Sequence, residues 1–219
     1  MNRPVKGSGP PARTYKSDRR QEQARRTRLE ILQAARGLFV QHGYGRTTIT
    51  DIAAAANVSV ETVYGAFGTK AVVLQRVWDI TIGGDDDQVV YHERPEILAL
   101  HDEPDLARRL TMQATVFTQT AHRIVPLLLA ISGAASSEKA ADEMLVEIGR
   151  QRLVGMTVMA SSAAATGQLA VTEQECRDLM WATTDGVLWQ RLVVERGWSD
   201  QTFAQWLADL WVGLLVTRR

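Results

Sequence analysis

Two short apolar patterns, TITDIAAAAN and SVETVYGAF, separated by one tight turn, restrict what this chain can fold into more than any other feature of it. In the first, Ile49, Ile52, Ala53 and Ala56 recur at helical spacing, and Thr48 stands three residues before Asp51 in a capping-box-like start. Asn57 tolerates the left-handed conformation that a tight turn needs. Ser59 is placed to cap a third helix, Val60 to Phe67, in which Val63 and Phe67 lie four apart and face inward. Ahead of both, Leu29, Ile31, Leu32, Ala35, Leu38 and Phe39 predict a longer helix from about Arg25 that stops at Gly43. Two short helices joined by such a turn form a helix-turn-helix. The second of them needs only about two turns, because its N-terminal residues alone reach base edges in a major groove ~12 Å wide. Its outward residues are Val60, Glu61, Thr62, Tyr64 and Gly65. The glycine costs roughly 1 kcal/mol of helix propensity relative to alanine, and close approach to DNA compensates for it.

Charge points the same way. The formal net charge is zero, yet residues 1–76 hold 13 Lys and Arg against 5 Asp and Glu, and residues 77–219 hold 12 against 20. The basic end suits a polyanion, since neutralising phosphates releases condensed counterions. The other reading is a solvated tail, because much of the excess lies in the Pro-, Gly- and Arg-rich residues 1–28. With 45% hydrophobic and 23% charged residues the body of the chain is expected to fold. The organisation read from these shifts is a disordered basic arm over 1–24, a helix-turn-helix domain over 25–76, and a larger helical domain over 77–219.

The stretches ILQAARGLFVQHGY and TTITDIAAAANVSVETVYGAFGTKAVVL resemble the DNA-binding domain of TetR-type (tetracycline-repressor-like) transcriptional regulators over Ile31 to Leu74. The shared features are the Ala-Ala and Leu-Phe pairs of the first helix, the Thr-Thr start of the second, Val-Ser before the third, and Tyr-x-x-Phe-x-x-Lys after it. The resemblance implies that Thr47, Thr48 and the Tyr64 hydroxyl donate to phosphates and that Lys70 pairs with another. Such contacts position a protein without reading sequence. For Thr48 and Tyr64 the alternative is capping and packing alone. Base reading falls to Val60, Glu61 and Thr62, through thymine methyls and cytosine N4. Asn57 replaces the usual glycine, Glu61 a small residue, and Gly65 and Ala66 longer side chains. The basic arm is a candidate to supply the missing contacts.

Beyond Leu74 the resemblance implies an all-α ligand-binding and dimerisation domain, and the sequence agrees. Helical patterns run from Lys70 to about Thr81, Asp105 to about Ala130, Glu138 to Ala165, Thr172 to Arg196 and Asp200 to Val216, with breaks at Gly83, Gly84 and Asp85 to Asp87, at Gly167 and at Gly197. No alternating segment long enough for a sheet occurs, so the expected class is all-α. Trp206, Leu210, Trp211 and Leu214, with Phe203 and Leu207, form a stripe on the last helix. Core packing is one role for it, and pairing with a second copy across a two-fold axis, which the resemblance implies, is the other. Such a homodimer would present two recognition helices ~34 Å apart to a palindromic double-stranded DNA operator.

Met112, Phe117, Trp181 and Trp189 are candidates to line a small-molecule pocket, or else plain core. His101 and His122 have no partner at metal-ligand spacing, and His92 beside the acidic run reads as a solvated loop, so no metal or cofactor is expected. No phosphate loop, nucleophile elbow, HExxH or CxxC occurs, and Ser161, Ser162 and Cys176 have no base nearby in sequence. A small enzyme and a helical interaction protein with a basic arm are the alternatives to a ligand-responsive repressor. The lone cysteine and the absence of a signal-like or membrane-spanning run predict a cytoplasmic protein without membrane partners.

Overall fold

The computed structural model describes residues 12–83 and 95–217. Residues 1–11, Gly84, the Asp85 to Asp87 run and His92 lie outside the described residues, as does the side chain of His101. Every named element is a helix: α1 Ala12–His42, α2 Ile49–Ala55, α3 Val60–Phe67, α4 Lys70–Gly83, α5 Pro95–Asp102, α6 Leu106–Ser132, α7 Lys139–Ala164, α8 Glu173–Thr183, α9 Val187–Trp189, which continues as a π-helical turn over Gln190–Glu195, and α10 Asp200–Leu215. The all-α expectation holds, with one isolated bridge between Leu169 and Val216.

The local signals act as read. Thr48 accepts from the Asp51 backbone N–H while the Asp51 carboxylate accepts from the Thr48 backbone, a full capping box. Ser59 caps α3, and Asn57 sits at φ 53° in the turn between them. Three expectations change. The first helix begins at Ala12 rather than about Arg25, so the segment 12–24 assigned to a disordered arm is helical. Good helix formers such as Gln21 to Arg26, with neither Gly nor Pro from Ala12 to Arg36, let the helix propagate outward from its packed part. The short α5 lies where no element was predicted. The single helix expected over Thr172 to Arg196 is two, because Gly186 at φ 89° turns the chain between α8 and α9.

Helix α6 occupies the centre. Its 27 residues are long and apolar enough to cross a membrane by length and composition, and Pro126 lies within it. Here α1, α4, α5, α7 and α10 pack around it. One turn's separation from the proline, the Arg123 carbonyl accepts from Arg36 Nη2 at 3.0 Å and ties α6 to α1. Two clusters of buried side chains meet on α6 at Ile124. One joins Ile31, Phe39, Ile52, Val63, Val73 and Leu74 of the first four helices, and Tyr44 of the turn between α1 and α2, to Leu127, Ile131, Ala141 and Met144 of α6 and α7. The other holds Leu110, Ala121, Met180, Trp189, Phe203, Leu207 and Trp211. The helix-turn-helix therefore shares a core with the corner between α6 and α7 rather than hanging from α4 alone.

Candidate nucleic-acid interface

The outward face of α3 is small and open. Val63 is fully buried against the first cluster, which points Glu61, Thr62, Tyr64 and Gly65 outward, and Tyr64 is 52% exposed. A Cβ added at Gly65 would meet nothing within 4 Å, so packing within the chain does not require glycine there. Close approach by an outside molecule is what the missing side chain permits. The Glu61 carboxyl is held below its ordinary range by its own backbone N–H and by Ser59, and so stays ionised at the helix N-terminus. Val60 is half-buried against the first cluster, which leaves only part of its methyls free.

Two residues expected to face phosphate have other partners. Thr47 is 2% exposed and its hydroxyl donates to the Gly43 carbonyl at 2.9 Å, so it fastens the turn before α2 instead of presenting a donor outward. The side chain of Lys70 lies against Tyr44: its Nζ donates to the Tyr44 carbonyl at 3.2 Å, sits 4.2 Å from the ring centroid and lies 3.9 Å from Glu138 Oε2. The Tyr44 phenol is pushed up to about 12, mainly by burial and then by Glu138, and remains neutral. Thr48 is exposed, with its hydroxyl donating to Asp51 Oδ2 at 2.7 Å as part of the cap. Arg46, absent from the sequence-derived set, is exposed beside it at the rim of a cleft of about 330 Å³ lined by Leu38, His42, Thr47 and Asp51. Its neighbouring Thr-Thr pair was the available signal. Its Nε donates to the His42 carbonyl at 2.7 Å.

In the larger domain the assignments also divide. Trp211 is 1% exposed and its indole N–H donates to Thr183 at 2.9 Å, which places it in the chain's own core and corrects its assignment to a dimer surface. Trp206 and Leu210 are half-buried, with Trp206 against Phe203 and Trp198, while Leu214 is exposed. Trp181, expected to line a pocket, is 40% exposed with Arg152 over its ring. Periodicity could not distinguish these tryptophans, since both lie on helices with an apolar face. Met112 is half-buried, Phe117 packs beside Phe203, and Trp189 is buried with its Nε1 lacking a hydrogen-bond partner. His122 does find a partner, Asp200, at 2.7 Å, with its ring edge-on to Trp189. Ser162 accepts from Arg109, and Cys176 is buried with its thiol pushed up to about 11. Among the described residues no group of three His, Cys, Asp or Glu is arranged to hold a metal.

Residues 31–77 match the family described as bacterial regulatory proteins, tetR family. Over 61 residues the chain is 39% identical to the HTH-type transcriptional regulator TtgR of Pseudomonas putida, a match covering 28% of this chain and 29% of that protein. The chain thus matches little more than a quarter of that relative's length. Solved structures extend the likeness in fold. NalD of Pseudomonas aeruginosa, the secondary repressor of the MexAB-OprM multidrug efflux pump, has a TM-score of 0.66 at 20% identity, covering 90% of this chain and 100% of NalD. A transcriptional regulator from Saccharomonospora viridis in complex with choline has a TM-score of 0.64 at 19% identity, covering 87% of this chain and 98% of that one. Residues 31–77 thus carry a helix-turn-helix that matches the tetR family of bacterial regulatory proteins, and the chain as a whole shares the all-helical fold of these two regulators.

Proposed function

We propose that the chain is a homodimeric, cytoplasmic transcriptional repressor that occupies a palindromic operator and is released by a small apolar molecule. The observation that carries the reading is the open face of α3, with Glu61, Thr62, Tyr64 and Gly65 exposed around a buried Val63. Thr62 and Glu61 read base edges, and Tyr64, Thr48 and Arg46 contact the backbone. The exposed Leu214, with Val187 and Val194, gives a second copy an apolar surface to cover, and Trp206 and Leu210 lie half-buried on α10. The ligand enters the α6 side of the larger domain near Phe117 and Trp189, and the fold shared with a regulator in complex with choline supports a ligand-binding role. A ligand with one hydrogen-bond acceptor would satisfy the unpartnered Trp189 Nε1. Its differential affinity for the two conformers sets the response.

Selection of bound sequences from a random DNA pool tests this reading. The full chain recovers a palindrome, Tyr64→Phe binds it more weakly at every site, and Thr62→Ala changes the preferred base. Recovery of no motif would favour a helical interaction protein. Base preference that survives substitution of Val60, Glu61 and Thr62 would remove α3 from recognition.

A further inference from the structure

Lys70 opens α4 in the DNA-binding half of the molecule, yet its ammonium is occupied by groups from two domains. Tyr44, whose carbonyl and ring it meets, belongs to the turn between α1 and α2. Glu138, 3.9 Å away, stands at the start of α7. Glu138 is also the N-cap residue of α7 and makes no side-chain cap hydrogen bond. Thr48, Ser59, Asp105, Thr172 and Ser199 each cap their own helices. The Glu138 carboxylate is therefore not held by its own helix. Its stem passes over Gly45, where an added Cβ would lie 3.6 Å from Glu138 Cγ and 4.0 Å from Ala134 Cβ. Tyr44, Ile131, Ala134 and Ala141 share the first core cluster, so the carboxylate sits where the α6–α7 corner packs on the turn between α1 and α2.

We propose that Glu138 is an internal competitor of the DNA backbone for Lys70, and that the larger domain sets DNA affinity by how closely the α6–α7 corner presents this carboxylate; the inference rests on the DNA-binding reading above. A carboxylate and a phosphate are alternative anions for one ammonium on a flexible four-carbon stem. With Lys70 and Glu138 side chains 23% and 37% exposed, the pair is open enough to water to exchange partners. Movement of the corner away from Tyr44 frees Lys70 for a phosphate. Movement toward it withdraws that contact. By reciprocity, DNA engaged at Lys70 loosens the corner to the same degree that a ligand tightening the corner weakens DNA binding.

The test uses the full chain with Glu138→Gln, Lys70→Gln and the double variant, binding a mixed-sequence duplex across a salt series, with circular dichroism to confirm folding. Glu138→Gln should raise affinity several-fold at low salt and steepen the dependence of log K on log salt by about one unit, as for one added phosphate contact. Lys70→Gln should lower both, and in its background Glu138→Gln should change neither. An equal gain with and without Lys70 would reflect general relief of charge repulsion and would overturn the competitor role, as would no gain at all. A thermal-unfolding double-mutant cycle on the DNA-free proteins reads the Lys70–Glu138 coupling separately. If the cycle shows coupling while none of the four proteins binds any duplex, the DNA-binding reading falls and the competitor role with it. If all four bind alike, the competitor role falls alone.

Discussion

Gly186 divides what the sequence presents as one helix, and replacing it with alanine has a cost that can be worked from two separate causes. Its φ of 89° lies in the left-handed region, which costs an L-residue roughly 1–2 kcal/mol. An added Cβ would also lie 2.8 Å from Val125 Cγ2 and 3.5 Å from Cγ1, on the central helix α6, where overpacking costs about 1–3 kcal/mol. Gly186→Ala is therefore expected to destabilise the chain by about 2–5 kcal/mol. For a chain of this length that lowers Tm by about 4–20 °C, read by circular dichroism at the helix band. Val125→Ala in the same background separates the causes, because it removes the colliding methyls and leaves the backbone strain. The double variant should lose less stability than the two single losses combined. An unchanged Tm for Gly186→Ala, or strict additivity with Val125→Ala, would refute the claim that close approach to α6 fixes glycine at this position.

Three further outcomes follow from local geometry. Thr48→Ala removes the N-cap of α2 and should cost about 1 kcal/mol in denaturant unfolding, before any loss of DNA contact. Glu147 accepts from Arg150 and Gln151 at 2.7–2.8 Å, and these bonds, Arg150 first, lower its carboxyl from 4.5 to about 2. Because the folded value is depressed, the stabilisation is complete above pH 4.5 and is lost as pH falls toward 2; NMR titration of Glu147 should show that midpoint, and Arg150→Gln should return it toward 4.5. Cys176, buried and with its thiol pushed up to about 11 by burial and then by Glu173, should resist thiol reagents at mildly alkaline pH until the chain is unfolded. Rapid labelling of the native protein would show that α8 opens locally.

What the sequence determined by itself is what neighbouring residues settle among themselves. Thr48 and Asp51, or Ser59 and Thr62, complete a cap within four residues, and Asn57 takes its turn conformation from its own side chain, so the boundaries of α2 and α3 and the open face of α3 were legible. The apolar stripe of α10 was legible as a stripe, since Phe203, Leu207 and Trp211 repeat at helical spacing. Tertiary structure decided which partner covers each face. An apolar stripe specifies that it is buried, not against what, and so Trp211 went to the core while Trp181 stayed at the surface. Thr47 and Lys70 carry donors whose sequence context suits a phosphate, but Gly43, Tyr44 and Glu138 took them. A long charged side chain finds its counter-ion in three dimensions, and Glu138 reaches Lys70 only because the α6–α7 corner packs on the turn between α1 and α2.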